Sequence, residues 1–395
     1  MTLPMISDDE RRRRLAVRHL LLPEKRAADV PAIVEALVAL HSSDPVTVYL
    51  TAAARLKHPV VEAVDTALYR DRAVFRHHAM RRTLWVMSAD VVRVAHAACT
   101  VKIAAAETKR FLGWLEATPS IARPDQWLDM ATERIVGFLD AGTAASTREI
   151  GLAIPELTVP ITVGQGSRQE TTIAAHSRIL LIAALNGKVV RTAPQGSWTA
   201  SNYAWETAER WGMPELTSSD PDGGAALLLI RVLERFGPCA LRDLTWWTGW
   251  TKTMTRKALQ AISAAEVMLE SGGTAWINPG DTATEDVPPP WVGLLPGLDP
   301  TTMGWKEREW YLDPDVAEHV FDRNGNAGPT IWVDGKVVGG WAQRPNGEII
   351  FDIHRQLSRE QMTMLEEAAS RLVGFVGETR FRVRFPSPNQ KRFLA

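Results

Sequence analysis

Cysteine is nearly absent: 395 residues contain two, Cys99 and Cys239. They lie far apart and form no CxxC or metal-spaced pattern, which excludes a disulfide framework and a cysteine-rich zinc module. Reduced thiols in a cytoplasmic protein are the expectation. Long apolar runs are missing as well; none approaches the roughly 20 residues that span a bilayer. Asp8, Asp9 and Glu10 followed by Arg11 to Arg14 give the N-terminal stretch no apolar signal core, so no membrane partner is expected. Charge of one sign is lacking too. With 45 Lys+Arg against 46 Asp+Glu the net charge is −1, and the chain as a whole does not advertise nucleic-acid binding. The distribution is uneven, however: residues 1–120 carry 18 Lys+Arg against 13 Asp+Glu. Only the local field matters at contact, so a basic face on a neutral chain can hold phosphates; scattered surface arginines give the same count.

What is present is an ordinary globular composition, 45% hydrophobic and 23% charged, in a chain long enough for two to four domains. Ser7 and Glu10 have the S-x-x-E spacing of a capping box and open a helix reaching residues 20–22. Pro31 suits a first helical turn, and Ile33, Val34, Leu37, Val38 and Leu40 recur at helical spacing up to His41. A break, His41-Ser42-Ser43-Asp44-Pro45, precedes an amphipathic helix over 46–56. The arginine-rich stretch FRHHAMRRTLWVM within 73–87 reads as a strand or extended turn, and helices are expected over 89–115 and 126–139.

One pattern then occurs twice. The first copy has a helix to Leu139, a short helix opened by Ser146-Thr147-Arg148-Glu149, a third over 172–185, and a hairpin in NGKVVRTAPQGSWTAS. The second has helices over 225–236, 241–248 and 251–264, with a hairpin over 267–277 broken at Ser271-Gly272-Gly273. Helix, turn, helix, hairpin is the winged-helix order, in which the third helix enters the major groove. Thr251, Lys252, Thr253, Thr255, Arg256 and Lys257 crowd the start of that helix, where hydroxyls and cations meet phosphates and base edges; a solvated, Thr-capped helix start accounts for them too. Between Glu285 and Pro300 a proline-rich linker, with Val287-Pro288-Pro289-Pro290, leads to strands in TIWVDGKVVGG and EIIFDI, a helix capped by Ser358 and Gln361 and ending at Val373, and a closing strand FRVRF. The fold class expected is α+β, mainly α: tandem winged helix-turn-helix units with a small α+β C-terminal domain. The boundaries are 1–120, carrying the HSSDP segment, then 121–215, 216–285 and 286–395.

Five stretches in this order, ALVALHSSDPVTVYLTAAARL, MRRTLWVM, AALNGKVVR, WTASNYAW and VDGKVVGGWAQ, resemble the AlkZ/YcaQ-type winged-helix DNA glycosylases. The resemblance implies tandem winged helices forming a concave DNA-binding surface, and hydrolysis of the N-glycosidic bond of alkylated purines, with crosslink unhooking in some members. It implies neither metal nor organic cofactor, and damaged double-stranded DNA as the partner. In that family the catalytic motif reads Gln-x-Gln or Gln-x-Asp directly before an Asp-Pro. Here Asp44-Pro45 is present, but His41 and Ser43 hold the motif positions.

Glycosidic cleavage passes through an oxocarbenium-like sugar cation, so an enzyme must expose the nucleotide, steady positive charge, place a water and, for neutral bases, protonate the leaving group. His41 can activate water or protonate the base. Ser43 can hold that water or a phosphate, and Asp44 can orient the imidazole or offset sugar charge. The bland reading stands beside this: a histidine ending a helix and an Asp-Pro N-cap need no catalysis. Arg81, Arg82 and Arg344 are candidate DNA contacts beside Thr251, Lys252, Thr253, Arg256 and Lys257. Trp85, Trp341 and Tyr203 are candidate stacking surfaces, although most of the fifteen tryptophans belong in the core. His77 and His78, adjacent on a strand, face opposite sides and cannot line one pocket. A monofunctional, monomeric glycosylase for alkylated, crosslinked or deaminated purines is the leading expectation, since no lysine stands ready for lyase chemistry. A non-catalytic winged-helix DNA-binding protein or regulator is the alternative, and an RNA- or protein-binding scaffold the third.

Overall fold

The computed structural model describes residues 3–166, 170–216 and 220–394. Its secondary structure is mixed, with helix outweighing strand and five small sheets. Ser7 caps the first helix, Asp8–Arg18, by accepting the Glu10 N–H at 3.1 Å. The reciprocal half of the capping box is absent, because the Glu10 carboxylate is taken by the buried Arg14 and the Glu285 N–H. The two residues before this cap, Met5–Ile6, pair in parallel with Ala265–Leu269, so the start of the chain joins a sheet formed some 260 residues later.

Asp29 caps Val30–Leu37, which stops early because Val38 turns to φ 62°. His41 therefore does not end a helix, as its spacing suggested; it lies on the short strand Leu40–His41, opposite Trp85. That strand flanks Thr83–Met87, which pairs on its other side with Phe75–Ala79. The expected extended stretch is thus a hairpin. Asp44 caps the next helix, Pro45–Arg55, whose residues are almost all buried. Helices Ala89–Ala95 and Val101–Glu116 are joined by a π-type turn over His96–Thr100.

The helix–helix–helix–hairpin order occurs twice. The first is Pro124–Ala141, Thr147–Ala153 and Ala175–Leu185 with strands Val189–Pro194 and Tyr203–Thr207. The returning strand begins later than the Trp198 region where it was expected. An irregular loop over 195–202 intervenes, and Trp198 leaves the hairpin to pack on Tyr49, Phe375 and Phe381. An unforeseen strand pair, Pro160–Val163 with Thr171–Ala174, precedes the third helix and takes its first expected residues. The second run is Pro221–Phe236, Leu241–Thr248 and Lys252–Ala261, followed by Ala265–Leu269 and Thr274–Ile277, each within a few residues of expectation.

The C-terminal sheet is an antiparallel meander of Val292–Leu295, Thr330–Val333, Lys336–Gln343 and Ile349–Ile353, with the helix Arg359–Val376 capped reciprocally by Ser358 and Gln361. Val292–Leu295 lies inside the stretch read as linker. The closing FRVRF is not a strand. Its N–H groups go to side chains, Phe381 to the Gln343 amide and Arg384 to the Asp44 carboxylate, and a short helix Pro388–Phe393 follows.

Packing explains why the His41–Asp44 segment is fixed from both sides. One apolar cluster joins Val34, Leu40, Tyr49 and Leu50 to Trp341, Leu365 and Phe375 of the C-terminal region. A second joins Trp85 and Met87 to Leu228, Leu244 and Trp247. The end of Pro45–Arg55 is held by an ion pair with both side chains fully buried, Arg55 to Asp299 at 2.8 Å. Thr47 donates to the Gly297 carbonyl and Thr51 to Asp299, which ties the same helix along its length.

Candidate active site and nucleic-acid interface

The strand Leu40–His41 ends where the chain must turn into Pro45–Arg55, and the turn is built from hydrogen bonds rather than glycine. Ser42 continues the sheet by donating its N–H to the Leu84 carbonyl at 2.9 Å, while its hydroxyl accepts from Arg76 Nε at 3.0 Å. The Ser43 N–H points to His41 Nδ1 at 3.4 Å. Asp44 accepts from the Val46 N–H at 3.2 Å, as an N-cap does, and from the Arg384 N–H at 2.9 Å. Arg384 returns through its side chain, Nη1 donating to the Ser43 carbonyl at 3.0 Å. Asp44 thus fastens the C-terminal segment to the turn. It does not orient the imidazole: its oxygens meet two backbone N–H groups, and the partner of His41 is Ser43.

The electrostatics follow from burial. Loss of solvent, reinforced by the Arg81 charge, pushes His41 down to about 3, so the ring is neutral at physiological pH. With Nδ1 accepting from Ser43, the proton of the neutral ring resides on Nε2. That leaves Nε2–H as the donor of the ring. Burial raises Asp44 above its ordinary carboxylate value, against the two backbone N–H groups that favour its charge. The His41 ring lies 5.1 Å from that of Trp85, edge to face, and Trp85 lies 6.1 Å from Trp247.

Arg81 and Arg82 occupy the turn of the adjoining hairpin, and both have positive φ, 57° and 61°. The left-handed region costs a non-glycine residue roughly 1–2 kcal/mol, so the two together represent stored strain. Two contacts hold them there. The Arg81 guanidinium lies 4.5 Å from the Trp246 ring centroid, with Arg308 also at that ring, at 5.2 Å. Arg82 pairs with the buried Glu107 at 2.8 Å, a carboxylate shared with Arg110 and Arg178. Gly249, at φ 76°, closes Leu241–Thr248 directly against Arg81; a Cβ there would stand 3.2 Å from its Cγ. The hairpin turn is therefore seated on the helix–turn–helix that carries Thr251.

Thr251 caps Lys252–Ala261 by accepting from the Met254 N–H, and Thr251, Lys252, Thr253, Arg256 and Lys257 are all exposed. Lys257 is paired with Asp222 at 2.5 Å. Thr255 is buried and donates back to the Thr251 carbonyl, which makes it a helix residue rather than a surface contact. Arg344 stands apart from this group, exposed in the turn after Lys336–Gln343 and paired with Glu348 at 2.8 Å. Trp341 is buried with its indole N–H on the Leu295 carbonyl, so it offers no stacking face. Trp85 is buried too, but faces His41. His77 and His78 do point to opposite sides of their strand: His77 meets His96 at 3.0 Å, whereas His78 lies towards Arg191.

A profile of the family described as DNA glycosylase AlkZ-like matches residues 34–375 of this sequence. The chain belongs to that family. Among solved structures, the DNA glycosylase AlkZ of Streptomyces sahachiroi is similar in fold, with a TM-score of 0.72 and 20% identity over 98% of this chain and 100% of that one. No curated protein matches.

In this AlkZ-like DNA glycosylase, His41 and Ser43 stand on the turn that leads from Leu40–His41 into Pro45–Arg55. The side chains around that turn which sequence reading missed are mostly cationic and aromatic. Arg76 reaches Ser42 from Phe75–Ala79, the far strand of the sheet, with its guanidinium carbon 5.2 Å from both the Tyr69 and Tyr203 ring centroids. Arg191 lies over Tyr203 and Trp205 at 5.7 and 5.2 Å, and Arg384 reaches across from the C-terminal segment. An open cleft of ≈ 860 Å³ lies in front of Arg191, Tyr203 and Arg384. Arg76 had a signal, since it alternates with Phe75 and His77 on a strand; Arg384, more than 300 residues away, had none. Among the described residues, no helix is long and apolar enough to cross a membrane.

Proposed function

We propose that this DNA glycosylase releases purines made cationic by alkylation at N7 or N3 from double-stranded DNA, acting as a monomer. In this reading His41 Nε2–H and Ser43 position the hydrolytic water, while the ionised Asp44 offsets positive charge developing on the sugar. One observation supports it above the others: the Ser43 N–H lies against His41 Nδ1, in a place where burial and the Arg81 charge push the imidazole down to about 3 and so favour its neutral form. A neutral donor of this kind is a poor acid for a departing neutral base, but a cationic purine needs no proton to leave. The same leaving-group chemistry covers N7-linked crosslinks, and the open cleft lined by Arg191, Tyr203 and Arg384 offers room for a bulky adduct. Hypoxanthine and uracil, neutral bases that need more help to depart, are disfavoured.

The two helix–helix–helix–hairpin runs act as tandem winged helices. Thr251, Lys252, Thr253, Arg256 and Lys257 meet phosphates and base edges, and Arg81 and Arg82 present the hairpin turn beside them. Arg344 makes a separate backbone contact. The domain divisions at 120, 215 and 285 fit this reading, with the first unit carrying the reactive turn.

The experiment is base release from duplexes carrying 7-methylguanine, 3-methyladenine, hypoxanthine or uracil, read as alkali-labile strand breaks. The expected result is release of the cationic bases, at a rate flat between pH 5 and 8. His41→Ala should lose on the order of 100-fold, the usual cost of a misplaced reactant, while His41→Gln, which restores an amide donor, stays within about tenfold of wild type. Release of hypoxanthine that vanishes in His41→Ala would assign proton transfer to His41 instead. Binding of duplex with no base released would make the protein a non-catalytic member of its family.

A further inference from the structure

Around the Ser42–Asp44 turn lie the buried Arg76, the half-buried Arg191 and the exposed Arg384, cations that the proposed chemistry does not use. Arg76 is 6% exposed, donates Nε–H to Ser42 and lies against the Tyr69 and Tyr203 rings, with the Tyr69 hydroxyl beside its guanidinium. Among the described residues the buried Tyr203 hydroxyl has no hydrogen-bond partner. A buried guanidinium faced by neutral phenols favours an anionic partner. Arg191 is close by: burial lowers it below its ordinary value, and the Arg76 and Arg384 charges oppose its own.

The inventory of donors and acceptors identifies the chemistry that fits this place. Arg76, Arg191 and Arg384 supply guanidinium N–H groups, and Tyr203 supplies a phenol O–H. The carboxylates at this place are already committed: Asp44 to two backbone N–H groups, and Glu149, across the cleft, to the Ser146 N–H at 2.7 Å in its capping box. Three guanidinium groups beside a phenol, with the nearby carboxylates already committed, fit a compact oxyanion. The cleft that opens in front of Arg191, Tyr203 and Arg384 gives such an anion a way in.

We propose that Arg191, Arg384 and Tyr203, backed by Arg76, form a phosphate subsite that grips the DNA backbone next to the nucleotide presented to His41. The proposal rests on the reading of the Ser43–Asp44 turn as the reactive one. Arg384 couples the two functions, because its own N–H and guanidinium hold Asp44 and Ser43. A phosphate drawn to this subsite would place the adjoining sugar against the Asp44 end of the turn. Guanidinium pairs suit phosphate geometrically, and the low local polarity strengthens them.

The test is the salt dependence of binding to undamaged duplex by the full-length protein, comparing wild type, Arg191→Gln and Arg191→Lys. Loss of one phosphate contact lowers the slope of log Kobs against log salt by about 0.9. The expected result is that decrease in Arg191→Gln, a slope close to wild type in Arg191→Lys, and unchanged melting temperatures for the free proteins. An unchanged slope in a folded Arg191→Gln protein overturns the proposal. A second arm uses inorganic phosphate alone. Thermal stabilisation of wild type by phosphate with no slope change in Arg191→Gln would mean a free-phosphate site, and would overturn the assignment to DNA. Because the duplex is undamaged, failure of the proposed activity appears separately, as absent base release with the slope difference intact.

Discussion

Replacing Asp299 by Asn tests the anchor behind the reactive turn, and its cost can be worked from the contacts. Asp299 accepts four hydrogen bonds: from Arg55 Nη1 at 2.9 Å and Nη2 at 2.8 Å, from the Thr51 hydroxyl at 3.1 Å, and from the Thr301 N–H at 2.9 Å. Asparagine keeps one acceptor oxygen and puts an NH2 where the other stood. Two of the four bonds are lost, and two new donors face donors. Hydrogen bonds to charged groups contribute about 1.5–3 kcal/mol each. Independently, removing one partner of a buried ion pair costs roughly 3–5 kcal/mol, because the other charge stays behind uncompensated. Both routes give a loss of about 3–5 kcal/mol. Urea unfolding followed by tryptophan emission measures it as a lower midpoint at an unchanged slope. A companion protein with Arg55→Met and Asp299→Leu should recover most of the loss, because it removes both charges. If Asp299→Asn unfolds within about 1 kcal/mol of wild type, contrary to the mutational precedent for such pairs, the pair is not the anchor described here.

Acid should destabilise the fold through its buried histidines. His41 and His78 are each held near 3, and His19 and His77 well below their ordinary value, chiefly by burial. The unfolded chain therefore binds protons that the native state refuses. The stabilisation is fully present above about pH 6.5 and is lost as pH falls towards 3, at about 1.4 kcal/mol per unit for each such group. His78→Gln should make stability less steep between pH 6 and 4 by about one proton, seen in urea midpoints across that range; an identical slope would contradict a neutral, buried His78. Arg81→Asn relieves a left-handed arginine worth roughly 1–2 kcal/mol and gives up a cation–π contact of similar size. Its melting temperature should stay near wild type while lesion-duplex turnover falls. Lys252→Gln together with Arg256→Gln, both exposed, should weaken duplex binding and lower the salt slope by nearly 2 without changing stability, as fluorescence anisotropy at several salt concentrations would show.

The second helix–helix–helix–hairpin run was legible to within about four residues, because local signals agree there: the Thr251 cap, the Gly249 stop and the glycines of the Ser271-Gly272-Gly273 turn each specify one backbone state. Expectation failed where a distant partner supplies the hydrogen bond. Periodicity carried the helix at 30–37 through to His41, since Val38 and Leu40 still fit its apolar face; the chain leaves the helix at Val38 because Leu40 and His41 are claimed by Val86 and Trp85. FRVRF has a strand's composition but no sheet neighbour, its N–H groups being claimed by Gln343 and Asp44. The candidate site divides along the same line. The HSSDP turn could be singled out in the sequence, and Asp44 could be assigned a cap. Its second role could not, because the group that sets it is the backbone of Arg384, 340 positions away. The same contact changes what substitution at Asp44 would reveal. A carboxylate that caps a helix and also clamps a remote segment loses both when truncated, so a fall in activity in Asp44→Ala cannot by itself be read as lost sugar stabilisation. Asp44→Asn can accept one of the two N–H groups and carries no charge, so it is the variant in which electrostatic and structural roles separate.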